Sequence, residues 1–293
     1  MSFKSGFVIL IGRPNVGKST LANQLVGQKL AIVSNKPQTT RNKIRLILNR
    51  PDAQIIFLDT PGIHKPKHKL GEHLVELAIR TLKEADVICF LVEVLEMPGK
   101  GDEYILKQIQ NIKTPVFLVV NKIDMISKNK LIEAMENYSK LYNFDEIIPV
   151  SALTGENIGK LVKLIIDYLP EGHKYYPEDQ VTDLPESFII ADLIREKVLY
   201  LTKDEVPHSV FVTVDEIKKK PNNLIIVMAT IYVERDSQKA ILIGKNGSML
   251  KKIGQLARKE IEVLFGIRMY LDLWVKVKKD WRNREEYFKK ADF

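Results

Sequence analysis

The stretch GRPNVGKS, from Gly12 to Ser19, sets two glycines, a lysine and a serine at the spacing G-x-x-x-x-G-K-[ST]. The apolar run FVILI precedes it and a helix-like segment follows, which is the context that pattern requires. A turn of this kind turns backbone N–H groups and a helix N-terminus toward phosphate oxygens. Gly12, Arg13, Pro14, Asn15, Val16, Gly17, Lys18, Ser19 and Thr20 are therefore expected to wrap a nucleotide. Lys18 would place its ammonium on the β and γ phosphates, and Ser19 would give its hydroxyl to magnesium.

Three further strand ends fit the same ligand. In FLDTPG, Asp59 can hold magnesium through water and Gly62 can bring its N–H to the γ-phosphate, with Thr60, Pro61 and Ile63 lining the turn. On its own D-x-x-G is a weak signal, since Asp and Gly are ordinary turn residues. VVNKID supplies Asn121, Lys122, Ile123 and Asp124; the Asp124 carboxylate can accept two N–H bonds from guanine N1 and N2, a donor pair adenine lacks. PVSAL supplies Ser151, Ala152 and Leu153, with the Ala152 N–H expected at guanine O6. All four motifs close apolar strands, where open parallel sheets bind ligands.

A second glycine turn needs a different partner. AILIGKNGSMLKK, from Ala240, repeats the letters ILIG and reads as a strand-like lead-in to a turn and a helix. Gly247 follows Gly244 by three positions and no lysine precedes Ser248, so this is not a second phosphate loop of the first kind. G-x-x-G before a basic helix has the shape of the KH turn, which clamps the backbone of single-stranded nucleotides. Ile243, Gly244, Lys245, Asn246, Gly247, Lys251 and Lys252 are the expected RNA contacts. Ile241, Ile243, Ile253 and Leu256 suit either a groove floor or ordinary core. Trp274, on an alternating strand, is expected in the core, and Trp281 is uncommitted.

The elements that must position these residues fall into two grammars. From Phe7 to about Leu169, apolar strands alternate with amphipathic stretches, which argues a mostly parallel sheet wrapped by helices. Residues 171–186 lie in a Pro-rich stretch without apolar periodicity and read as a linker between a first domain, 1–170, and a second, 187–293. The second runs helix, strand, strand, G-x-x-G helix, strand, and is expected to end in a basic C-terminal helix. Two domains suit 293 residues, of which 45% are hydrophobic and 28% charged. The lone Cys89 allows no intrachain disulfide, and no apolar run reaches the roughly 18 residues of a membrane-spanning helix. No signal peptide is read at the start, so residence is expected in the cytoplasm. The formal charge of +8 is local: Lys239 to Arg284 holds twelve Lys/Arg against four Asp/Glu, an excess equal to that of the whole chain. A polyanionic partner is expected there. His64, His68 and His73 lack the companions of a familiar zinc spacing.

In order and spacing, the four nucleotide motifs resemble the Ras-like GTPases of the translation-factor class. GRPNVGKSTLANQL, PQTTRNKI and DTPGIHKPKHKLG, followed by the KH-like half with REKVLYLTKDEVPHSV and LWVKVKKDW, are similar to the Era family along essentially the whole chain. The resemblance implies an α/β Ras-like P-loop GTPase domain followed by a smaller α+β type II KH domain. It implies GTP and GDP as ligands, Mg²⁺ held by Ser19, Thr40 and Asp59, and a catalytic set of Lys18, Thr40, Gly62 and Asn15. Thr39 beside Thr40 leaves the switch threonine open by one residue. Where Ras-like enzymes carry a water-orienting glutamine, this sequence has Ile63. Asn15 implies K⁺ beside the phosphates, hence slow hydrolysis stimulated by K⁺, although a plain loop hydrogen bond also fits that residue. The implied partner is 16S rRNA near its 3′ end, in assembly of the small (30S) ribosomal subunit by a monomeric protein that grips RNA with GTP and releases it on hydrolysis. Two rival uses of the basic stretch are peripheral binding to the cytoplasmic face of a membrane and binding of a protein partner. Nothing in the sequence supplies the nucleophile or cofactor fingerprint of an RNA-modifying enzyme.

Overall fold

The computed structural model describes residues 2–36, 38–66, 68–93, 98–221 and 223–288. The chain divides into two compact units: residues 1–31 with 40–183, and residues 32–39 with 184–291.

The first unit is built on a six-stranded sheet of order β2-β3-β1-β4-β5-β6. Its strands are β1 (Lys4–Gly12), β2 (Ile44–Asn49), β3 (Ala53–Asp59), β4 (Val87–Glu93), β5 (Val116–Asn121) and β6 (Glu146–Pro149). All neighbours run parallel except β2, which pairs antiparallel with β3. Every residue of β3 and β5 is buried, as expected of strands covered on both faces. Successive side chains alternate between the faces. One set, including Ile9, Ile11, Ile88, Phe90 and Leu118, packs against Val75 and Ala78 of α2 (Lys69–Thr81), Ile105 and Ile109 of α3 (Lys100–Ile109), and Tyr138 of α4 (Lys128–Ser139). α1 (Lys18–Val26) and α5 (Ile158–Tyr168) contact β1 and each other. The turns after β1, β3, β5 and β6 thus share the carboxyl edge of one sheet.

Much of the stretch expected as a linker has fixed bonding within this unit. Glu171 bridges Lys4 and Thr182 bridges Leu46, while Arg45 pairs with Asp183 at 2.6 Å. The amide of Gln54, fully buried in β3, donates to the Tyr176 carbonyl at 2.8 Å and accepts the Tyr175 and Tyr176 N–H groups at 2.7 and 3.0 Å. Proline and glycine mark irregular backbone here, and the hydrogen-bond demand of a buried amide ties that backbone down.

The second unit has α6 (Glu186–Leu201), β7 (Phe211–Lys220), β8 (Leu224–Val233), α7 (Asp236–Ile243), α8 (Ser248–Phe265), β9 (Arg268–Val277) and the short α9 (Glu285–Phe288). Its sheet runs β7-β8-β9, with β7 antiparallel and β9 parallel to β8. Leu193, Ile194 and Val198 of α6, Val227, Ala229 and Ile231 of β8, and Ile253, Ala257 and Ile261 of α8 supply its core. The lead-in to the second glycine turn is corrected: residues 236–243 form a helix, not a strand. Only Gln238 and Leu242 of this helix are buried, and a three-residue apolar run cannot distinguish the two periods. The expected basic C-terminal helix falls partly on residues 289–293, which lie outside the described residues.

Candidate nucleotide site and nucleic-acid face

The cradle begins where β1 turns into α1. Gly12 and Gly17 have φ of 154° and 101°, and Asn15 between them sits in the left-handed region at 66°. A Cβ on Gly12 would come 2.4 Å from the Leu91 carbonyl oxygen, and one on Gly17 would come 2.3 Å from the Asn121 amide nitrogen, so both positions require glycine. No side chain caps the N-terminus of α1. Lys18 folds back under the loop, its ammonium donating to the carbonyls of Gly12 (3.1 Å) and Arg13 (2.9 Å). Burial lowers its pKa to about 8, against the opposing pull of the Asp59 carboxylate.

An oxygen cluster stands beside it. Ser19 Oγ donates to Asp59 Oδ2 at 2.7 Å and lies 2.8 Å from Thr40 Oγ1. Thr40 is thereby brought to the cluster, whereas the Thr39 hydroxyl donates to the Lys36 carbonyl at 2.6 Å. Asp59 is fully buried and its Oδ1 has no protein partner. Burial raises its pKa to about 6, and Lys18, Ser19 and Thr40 moderate the rise. Hydroxyl and carboxylate oxygens with one unused buried acceptor suit a hard cation such as Mg²⁺, whose charge would favour the ionised carboxylate. After β3, the Thr60 hydroxyl donates to the Leu10 carbonyl (2.9 Å) and the Ile63 N–H to the Gly12 carbonyl (3.1 Å). Pro61 sits between them in the same turn. The Ile63 side chain is buried, and a Cβ on Gly62 would meet Pro14 N and Cα at 2.8 Å.

Asn121 braces the base end of the site. Its amide nitrogen donates to the Val16 carbonyl at 2.8 Å, and its oxygen accepts the Ala152 N–H at 2.9 Å, joining the turns after β1, β5 and β6. Asp124 is exposed and accepts the Ser151 hydroxyl at 2.5 Å. Lys122, at φ 66°, pairs with Glu93, and Ile123 and the exposed Leu153 flank the opening. Thr20 follows Ser19 in α1, half-buried.

One buried network behind the phosphate loop is not legible in the sequence. Asp102 on α3, fully buried, pairs with Arg13 Nε at 3.0 Å and accepts the Tyr138 hydroxyl of α4 at 3.2 Å. Burial, and next the Asp102 charge, push the Tyr138 phenol well above its ordinary pKa. No local motif announces this triad, because its members come from three separate elements.

In the second unit, Lys245–Gly247 form a single 3₁₀ turn between α7 and α8. Gly244, Asn246 and Gly247 have φ of 70°, 53° and 76°. A Cβ on Gly244 would press on Met249 at 2.8 Å, whereas one on Gly247 would meet nothing within 4 Å. Lys245, Lys251 and Lys252 are exposed, Ile243 and Gly247 half-buried. Ile253 is core, while Ile241 and Leu256 face outward. Trp274 corrects the expectation of a core residue: it is 59% exposed, and its indole N–H donates to Asp272 on the same strand at 3.2 Å. Trp281 is the buried indole, donating to the Ser209 carbonyl at 2.8 Å.

A family model described as "50S ribosome-binding GTPase" matches residues 7–122, and one described as "KH domain" matches residues 205–282. GTPase Era of Staphylococcus haemolyticus (strain JCSC1435) is 55% identical over 290 residues, covering 99% of this chain and 97% of that protein. A crystal structure of Era in complex with MgGDPNP and nucleotides 1506–1542 of 16S ribosomal RNA superposes with a TM-score of 0.96 at 44% identity, covering 99% of this chain and 100% of that one. A single-substitution variant of Aquifex aeolicus Era, bound to GDP and AlF₄⁻, gives the same TM-score, identity and coverage.

Proposed function

This chain belongs to the Era family of GTPases, and from that premise we propose that its GTP cycle switches the grip of its KH unit on single-stranded 16S rRNA near the 3′ end. The observation that carries the reading is the presence, in one chain, of the Ser19, Thr40 and Asp59 oxygen cluster and a G-x-x-G turn whose second glycine opens onto free space.

GTP seats its phosphates on the N–H groups of residues 12–20 with Lys18 beneath them. Its guanine edge meets Asp124, and Asn121, bonded to the Val16 carbonyl and the Ala152 N–H, keeps those turns in register with the phosphate loop. Ser19 and Thr40 hold Mg²⁺ with Asp59 behind them, and the metal supplies neutralisation of charge on the β and γ oxygens. Gly62 offers its N–H to the γ-phosphate, and its lack of a side chain lets this turn pack against the Pro14 backbone of the phosphate loop. Ile63 carries no polar atom to orient the attacking water, so intrinsic hydrolysis would be slow, and Asn15 would hold a K⁺ that supplies positive charge beside the phosphates. Single-turnover hydrolysis should run faster in K⁺ than in Na⁺, and Asn15→Ala should erase the difference; equal rates in the parent protein would remove K⁺ from the account.

RNA lies along Gly244–Gly247, with Lys245, Lys251 and Lys252 on its phosphates. The chain acts in the cytoplasm as a monomer on the assembling 30S subunit. Anisotropy of a labelled RNA copying the 3′ tail of 16S rRNA, titrated at fixed salt, tests the reading. Tight binding with a non-hydrolysable GTP analogue and weak binding with GDP are expected. Equal binding in both states would detach the KH unit from the GTP cycle. No RNA binding, with binding to anionic vesicles instead, would favour a membrane-peripheral role.

A further inference from the structure

Asp102, in the first turn of α3, is a carboxylate wholly removed from solvent, and three donors converge on it. Its Oδ1 accepts Arg13 Nε at 3.0 Å, while its Oδ2 accepts the Gly99 N–H at 3.1 Å and the Tyr138 hydroxyl of α4 at 3.2 Å. A buried charge is costly unless it is paired and hydrogen-bonded, and bonds from the helix start, from α4 and from the phosphate loop meet that demand. The arginine is also held along its stem: a Cβ on Gly101 would come 2.9 Å from Arg13 Cδ, so the stem runs against the bare backbone of α3. The main chain of the same residue serves the phosphate loop. The Arg13 carbonyl accepts the Lys18 ammonium at 2.9 Å, and the adjoining Gly12 carbonyl accepts it at 3.1 Å. Arg13 thus holds the lysine by its backbone and is itself anchored by its side chain, with all of these residues in the first unit.

We propose that Asp102 and Tyr138 are positioning residues for the phosphates of GTP: by anchoring Arg13 they set where the carbonyls of the loop hold Lys18. Both act through Arg13 and not on the nucleotide itself. The place at 102 calls for a carboxylate, because the groups around it donate. The amide of an Asn there would turn a donor of its own toward Arg13, or toward Gly99 and Tyr138. Tyr138, bonded to the oxygen that Arg13 does not use, fixes the rotation of the carboxylate. Two helices that carry no nucleotide motif, α3 and α4, therefore enter phosphate binding. Misplacing a positioned group by about 1 Å can cost up to about a hundredfold in rate, so a small slackening of the loop is enough to be measured.

The inference rests on Lys18 as the phosphate lysine, and a cycle of variants in the full chain separates the two claims. In protein folded at the assay temperature, Asp102→Asn should weaken GTP and GDP binding by about tenfold or more. It should also move the phosphorus NMR resonance of the β-phosphate of bound GDP, which a purely structural role would leave in place. Arg13→Met, which keeps the stem and removes the guanidinium, should do the same. Adding Asp102→Asn to Arg13→Met should weaken binding no further, since the carboxylate acts through the arginine. Parental affinity or an unmoved resonance in folded Asp102→Asn, or losses that multiply in the double variant, would overturn the anchor. Parental GDP affinity in Lys18→Ala would instead sink the assignment of Lys18. Should Asp102→Asn not fold, Tyr138→Phe takes its place in the cycle, with a loss of about twofold or more expected and the same outcomes counting against it.

Discussion

Lys18 illustrates how a residue legible from its motif acquires a property only the fold can give. Its pKa of about 8 comes from burial, and the Asp59 carboxylate resists the shift without reversing it. Phosphate brought against the ammonium favours the charged form. Below pH 8 the empty cradle already carries its proton, whereas above pH 8 it must take one up to hold the ligand. GDP affinity should therefore be flat up to about pH 8 and then fall by up to about tenfold per pH unit. Calorimetry in buffers of different ionisation enthalpy should detect proton uptake at pH 9 and almost none at pH 7; the same heat at both would mean that Lys18 is charged throughout. The triad behind the loop has no such motif. Asp102, Tyr138 and Arg13 meet only because α3 and α4 pack on the same sheet face. Tyr138→Phe removes one donor to a buried carboxylate and should cost about 1 kcal/mol, which heat denaturation would register as a drop of about 2–4 °C. Asp102→Ala removes both the carboxylate that pairs with Arg13 Nε and the acceptor of the Tyr138 hydroxyl, and should cost more and weaken GTP binding as well, which a nucleotide titration checks.

Among the elements, those with strong periodicity and flanking turns were readable. The central strands and the G-x-x-G helix α8 stand where apolar runs and glycines put them. α7 was not readable, because three apolar letters before a glycine fit either period. β9 is more instructive: Tyr270, Asp272, Trp274 and Lys276 share one face, and Met269, Leu271, Leu273 and Val275 the other. Asp272 and Lys276 already mark the Trp274 side as solvent, a cue that the bulk of the indole outweighed. The turn between α7 and α8 carries a prediction of its own. Gly247 has room for a side chain and a φ that Asp tolerates better than most residues. Gly247→Asp should fold, with melting within a few degrees of the parent, yet put a carboxylate where RNA phosphate approaches. RNA binding should drop at least tenfold at unchanged GTP affinity, and an unaltered RNA titration would count against the clamp. Gly244→Ala differs: its Cβ presses on Met249, so it should lower stability before it affects any ligand.

At the scale of the whole molecule, the sequence disclosed two modules and the contents of their glycine turns, because each motif lies within a few consecutive residues. The bonds of the segment 171–183 to Gln54 and Arg45, and of Arg195 to Thr39, stayed hidden, since they join residues more than a hundred positions apart. Charge, by contrast, is a sum, and the excess of eight between Lys239 and Arg284 could be counted directly. That excess is the basis for a measurement that separates RNA from other polyanions. Each lysine neutralising a single-strand phosphate releases counterion and steepens the fall of log K with log salt by about 0.7. Lys245, Lys251 and Lys252 are exposed around the G-x-x-G turn, so replacing all three by Gln should flatten the slope for single-stranded RNA by about 2. GTP hydrolysis without RNA should be untouched, as none of the three belongs to the nucleotide cradle. A slope that stays at the parental value would mean that the RNA runs elsewhere on the basic surface. A slope that flattens only for anionic vesicles would assign these lysines to a lipid headgroup surface and leave the G-x-x-G turn without the partner its open glycine and helix N-terminus suit.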